Sequence, residues 1–126
     1  MPRDIVQTDQ APAAIGTYSQ AVVVNGMAYV SGQIPLLPAT GEMVEGDIST
    51  QITRVFDNLA AVAEAAGMSL RDTAKLTVYL TDLGNFGHVN DIMATYFDAP
   101  YPARAAVEVS ALPKGAQVEM DAILAP

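Results

Sequence analysis

The chain contains no cysteine and no tryptophan, and its one histidine is His88. A thiol nucleophile and a disulfide framework are thereby excluded, and no His or Cys cluster suited to zinc can be assembled. Basic residues are nearly as scarce. Arg3, Arg54, Arg71, Lys75, Arg104 and Lys114 are the whole set, against 14 acidic residues, and the net charge is -8 over 126 residues. So acidic a chain has no basic stripe to follow a phosphate backbone, and nucleic-acid binding is disfavoured. Long apolar runs are missing too. The segment Met1-Pro2-Arg3-Asp4-Ile5-Val6-Gln7 carries charge and reads as neither a signal peptide nor a membrane span, so the expected location is the cytoplasm, with no membrane partner.

What the chain has in abundance is apolar side chain. Hydrophobic residues make up 51% of it and charged residues 16%, a high ratio for a small monomer with much surface to cover, so self-association is expected. The length suits one domain over residues 1–126.

Period and punctuation give the order of elements. Ala21-Val22-Val23-Val24 and Met27-Ala28-Tyr29-Val30-Ser31 flank Asn25-Gly26, a pair suited to the positive φ angles of a type I′ hairpin turn. Ile34 to Gly46 is rich in Pro and Gly and reads as a loop with a short strand, able to shape a pocket rim. From a cap at Asp47 or Ser49, apolar residues Ile48, Ile52, Val55, Phe56, Leu59, Val62 and Ala66 recur at helical spacing until Gly67 offers a stop. Thr73 to Leu80 alternates, with Ala74, Leu76, Val78 and Leu80 on the inner face. Phe86, Val89, Met93 and Tyr96 or Phe97 mark a second helix starting near Asn85, and His88 falls on its surface. Arg104 to Val109 and Gln117 to Leu124 close the chain as two strands, read as a hairpin joined by Leu112-Pro113-Lys114-Gly115. The resulting fold class is α+β, a mixed sheet with two helices on one face. Its other face, if apolar, would be buried against symmetry copies, and ligand pockets would lie between subunits.

Chemistry gathers around Arg104, which follows the stiff segment Ala99-Pro100-Tyr101-Pro102-Ala103 and enters the penultimate strand. Its planar fork suits a carboxylate. Spacing alone leaves open a structural ion pair with Glu108 or Glu119. Glu119 lies opposite the apolar face of the last strand, beside Asp121, either as a base for water or as a solvated edge residue. Tyr18, in Gly16-Thr17-Tyr18-Ser19-Gln20, either donates its phenol proton to a ligand or packs its ring. Gly32 after Ser31 permits close backbone approach to a ligand or marks a bulge.

Six segments in order, Gly16-Thr17-Tyr18-Ser19-Gln20, Val30-Ser31-Gly32-Gln33-Ile34-Pro35, Ala65-Ala66-Gly67, Pro102-Ala103-Arg104-Ala105, Val107-Glu108-Val109 with Leu112-Pro113, and Val118-Glu119-Met120-Asp121-Ala122, resemble the Rid (YjgF/L-PSP-like) reactive-intermediate deaminases. The resemblance covers nearly the whole chain. It implies a chorismate-mutase-like α+β subunit, a homotrimer with three intersubunit clefts, and hydrolysis of 2-imino acids or their enamine tautomers to 2-keto acids and ammonia, with no cofactor. Carried over by position, Arg104 would bind the substrate carboxylate and Glu119 would place the attacking water. Tyr18, Ser31, Gly32 and Asn90 would line the cleft. Thr17 stands where the family usually has proline, and Ala106 where close relatives often have cysteine. Alternative readings are a catabolic deaminase of the 2-aminomuconate type and a non-catalytic trimer that binds small carboxylic acids. The endoribonuclease label borne by some relatives is disfavoured by the acidic charge and the isolated His88.

Overall fold

The computed structural model describes residues 2–126; Met1 of the charged N-terminal segment lies outside them. Strands β1 (Asp4–Val6), β2 (Ala21–Val24) and β3 (Met27–Gln33) precede helix α1 (Ile48–Ala65), strand β4 (Thr73–Leu80), helix α2 (Phe86–Tyr96), and strands β5 (Ala103–Glu108) and β6 (Val118–Leu124). They form one mixed sheet in the order β1-β2-β3-β6-β4-β5. Three of the local signals determine three of the junctions. Asn25 and Gly26 take φ angles of 53° and 76° at the β2–β3 turn. Asp47 caps α1 by accepting from Thr50 N at 2.9 Å. At the other end Gly67, with φ 78°, donates to Glu64 O at 2.9 Å while Met68 donates to Ala63 O at 2.9 Å, the paired bonds of a Schellman stop.

One face of α1 is buried through Ile52, Val55, Phe56, Leu59, Val62 and Ala63. That stripe packs on the inner face of β3 and β6 and against α2, where Phe56 stacks on Tyr96 at 5.0 Å and meets the edge of Phe97 at 5.9 Å. The loop after β3 is tied to α1 by the buried Asn58, whose amide donates to Leu36 O at 3.0 Å, and Leu36 pairs with Met43 as the short strand signal suggested. Ahead of β2, the buried Gln20 folds the N-terminal segment: its Oε1 accepts from Thr8 N at 2.7 Å and its Nε2 donates to Pro12 O at 2.8 Å.

Two expectations fail. The hairpin read between the last two strands does not exist: β5 pairs in parallel with β4 alone, α2 making the crossover, and β6 lies between β3 and β4, antiparallel to both. The burial patterns carry the reason. Every second residue of β6 is buried along its full length, as suits a strand with neighbours on both sides, whereas no residue of β5 is fully buried, as suits an edge. Ala74 also departs from its expected place. It is exposed, because the β4–β6 register shifts between Thr73 and Lys75 and the alternation starts only at Leu76. The strand β1, three residues long with only Val6 buried, gave no period to detect.

The sheet face away from the helices is mixed rather than apolar. Ile5, Tyr29 and Val107 are exposed large hydrophobics on it, but β4 and β6 contribute Thr77, Tyr79, Glu119 and Asp121 across its centre. No helix among the described residues is long and apolar enough to cross a membrane.

Candidate active site

Arg104 sits on the edge strand β5 with its Cα opposite Leu76, whose side chain points to the helices, so the guanidinium emerges on the helix side of the sheet. There α2 receives it. Nη1 donates to Asn90 Oδ1 at 2.7 Å and lies 3.5 Å from Met93 Sδ, while the guanidinium carbon stands 4.7 Å from the centroid of the Phe86 ring. All three partners are uncharged. The ion pairs left open by spacing are not made: Glu108 Oε1 instead accepts from Leu83 N at 3.0 Å, and Glu119 points from the opposite face. A cavity of about 410 Å³ opens beside the guanidinium, bounded by Asn90, Met93, Ala94, Tyr101 and Pro102. A cation oriented by neutral groups next to open space keeps its charge for an incoming anion.

Glu119 on β6 faces Tyr79 across the antiparallel ladder and lies against Gly32 of β3. A Cβ at Gly32 would run into the Glu119 carboxylate, and the β3–β6 register shifts between Val30 and Gln33, so the glycine serves both the bulge and the close approach. Partial burial pushes the Glu119 carboxyl above its usual range, and the charge of Asp121 adds to the shift. The carboxylate borders a second cavity, of about 580 Å³, together with Tyr18, Ser31, Gly32 and the apolar Ile15, Ile34 and Leu36. Ser31 braces the Tyr18 segment, its Oγ donating to Ser19 O at 2.5 Å. Tyr18 is 54% exposed and lines this cavity, so it is not a core packing residue.

Within one chain, then, the six expected site residues form two groups. Arg104 and Asn90 meet on the helix side, and Tyr18, Ser31, Gly32 and Glu119 meet at the other cavity. His88 is exposed on α2, as expected of a surface residue. Phe86 and Met93, which the helical period marks only as core, turn out to touch the guanidinium as well. The contact depends on how α2 sits against β5, which the helical period does not carry.

These features define a small α+β protein that presents an oriented guanidinium at one cavity and a partly buried carboxylate at another. Residues 8–125 match the family model described as Endoribonuclease L-PSP, and the chain belongs to that family, also known as Rid or YjgF. It is 46% identical over 121 residues to the 2-iminobutanoate/2-iminopropanoate deaminase of Rattus norvegicus, covering 96% of this chain and 88% of that one. Among solved structures, RidA from the Antarctic bacterium Psychrobacter sp. PAMC 21119 superposes with a TM-score of 0.94 at 50% identity, over 98% of this chain and 99% of that one. TdcF of E. coli, solved with bound serine, superposes with a TM-score of 0.92 at 40% identity over 98% of both chains.

Proposed function

We propose that this protein hydrolyses small 2-imino acids, 2-iminobutanoate and 2-iminopropanoate, and their enamine tautomers to 2-keto acids and ammonia, as a homotrimer. The observation that carries this reading is Arg104, a guanidinium held by neutral partners beside open space. Full-length similarity to a deaminase of that specificity, and a relative solved with a small amino acid bound, support it.

Arg104 and Glu119 occupy opposite faces of one sheet, so a single substrate touching both needs two chains. Exposed apolar side chains on the open face, Ile5, Tyr29 and Val107, favour such an assembly. Arg104 of one subunit grips the substrate carboxylate, and Glu119 of a neighbour, with Tyr18, Ser31 and Gly32, surrounds the imine carbon.

The chemistry asks little of the protein. A protonated imine is already electrophilic at C2, so orientation and one base suffice, with no cofactor. As water attacks C2, the Glu119 carboxylate takes its proton, the C–O bond forms, and the C=N π pair moves to nitrogen. The resulting carbinolamine receives that proton on nitrogen. Loss of the hydroxyl proton to Glu119 then forms the C=O bond as the C–N bond breaks and ammonia leaves, and ammonia carries the last proton away. A raised carboxyl at Glu119 makes a stronger base than an ordinary glutamate and suits it to this shuttle.

The test generates 2-iminobutanoate in situ with an amino-acid oxidase and follows ammonia release with and without the protein, alongside sedimentation of the same sample. Release faster than the uncatalysed rate from a species of three times the 13.2 kDa chain mass is expected; binding of 2-ketobutanoate with no added release would leave only an acid-binding trimer. RNA cleavage, which the description of the family model suggests, is opposed by the net charge of -8 and by the exposed, isolated His88.

A further inference from the structure

We propose that Asp121, fixed by the hydroxyl of Tyr79, is a positioning residue whose negative charge sets the pH range over which Glu119 works. Glu119 and Asp121 are alternate residues of β6, so both side chains leave the same face of the sheet, roughly 7 Å apart along the strand. Tyr79 on β4 stands opposite Glu119 but sends its hydroxyl to the other carboxylate, donating to Asp121 Oδ2 at 3.0 Å. An exposed aspartate would swing freely and be screened by water. This one is half-buried and hydrogen-bonded in place, so its field on the neighbouring carboxylate is steady.

The other groups around Glu119 are few. β3 offers Ser31 and Gly32, which carry no charge; β4 offers Tyr79; the segment before β2 offers Tyr18; and Lys114 lines the same cavity from the turn Pro113–Gly115, its Nζ donating to Gly41 O at 3.4 Å. In the proposed trimer, Arg104 of a neighbouring copy adds a second cation. Asp121 is the one anion in this set. The pull of Arg104 would draw Glu119 toward a weaker base, and Asp121 opposes it. Burial and the Asp121 charge both raise the Glu119 carboxyl, in that order of size, and the same hydrogen bond raises the Tyr79 phenol, so Tyr79 stays protonated as a donor.

The competing explanation is a mere cross-strand staple between β4 and β6. Asp121→Asn separates the two, because the amide oxygen still accepts from Tyr79 while the charge is gone. The inference rests on Glu119 acting as the base, so it is read in two ways, by the acid limb of the kcat/KM profile and by carbon NMR titration of the Glu119 carboxyl, which needs no turnover. In Asp121→Asn both midpoints are expected to move down by about half a pH unit, the size of one like charge at this spacing in a well-solvated setting. Tyr79→Phe, which lets Asp121 turn to water, moves them part of the way. An unmoved titration midpoint in Asp121→Asn overturns the proposal, and an unmoved one in Tyr79→Phe removes the hydroxyl from it. A shifted titration in a protein that releases no ammonia would instead overturn the deaminase reading, and with it the working pH range, while leaving the coupling of the Asp121 charge to Glu119 established.

Discussion

Arg104→Ala is expected to lower kcat/KM for 2-iminobutanoate by about 10²- to 10⁴-fold, the effect of removing two charge-assisted hydrogen bonds worth roughly 1.5–3 kcal/mol each. The fold should survive the change, because the side chain is exposed on an edge strand and its partner Asn90 is exposed as well. Arg104→Lys is the sharper variant. It keeps the charge but loses the planar fork, the contact with the Phe86 ring and the fixed donation to Asn90. A loss of about 10- to 100-fold, mostly in KM, is expected from it. Full activity in both variants, with circular dichroism unchanged, would mean that the carboxylate binds elsewhere.

Glu119→Gln should act on the other half of the reaction. With its size and shape kept and its proton affinity gone, kcat is expected to fall by about 10²- to 10³-fold while KM changes little. Stability should move the opposite way. The Glu119 carboxyl is raised in the folded protein, chiefly by burial, so the proton it holds stabilises the fold at low pH and that contribution is lost as pH rises through the raised value. The glutamine variant has no such loss. Relative to wild type its melting temperature should therefore be higher at pH 7 than at pH 4. A variant whose melting temperature relative to wild type is lower at pH 7 than at pH 4, or that turns over normally, would contradict the place given to Glu119. Wild-type activity should for the same reason fall off in acid above the pH at which an ordinary glutamate titrates.

Local chemistry made much of this fold legible. The Asn25-Gly26 turn, the helix cap and the Gly67 stop each act within a few residues; the structure places the turn and the stop where the pattern puts them and selects Asp47 over Ser49 as the cap. Alternation likewise gives the parity of a strand, and so which side chains share a face. It does not give the order of strands. The pattern puts Arg104 and Glu119 on the two strands of a terminal hairpin, with no register fixed, yet β4 stands between those strands, and the two side chains leave opposite faces. That order follows from contacts distant in sequence: the crossover through α2 and the burial of β6 on both edges.

The same distinction runs through the site. Glu119 and Gly32 were recognisable as candidates, but the reason for the glycine, a carboxylate lying against its Cα, needs the β3–β6 pairing. Asn90 came from family resemblance alone, since a single asparagine on a helix surface carries no pattern. Phe86 and Met93 satisfied the helical period and so looked fully explained as core. Gln20 gave no sign of its place, because a lone glutamine becomes structural only when the carbonyls of a remote segment turn toward it.

The claim on which the rest depends is that one working cleft takes its guanidinium and its carboxylate from different chains. Mixing the two inactive variants tests it most directly. When Arg104→Ala and Glu119→Gln subunits are co-expressed in equal amounts and assemble at random, roughly a quarter of the clefts combine an intact Arg104 from one chain with an intact Glu119 from its neighbour. Ammonia release should then recover to roughly a quarter of the wild-type rate, far above either variant alone. A mixed assembly as inactive as its parents would place both groups in a single chain's site, against the opposite faces on which this fold holds them.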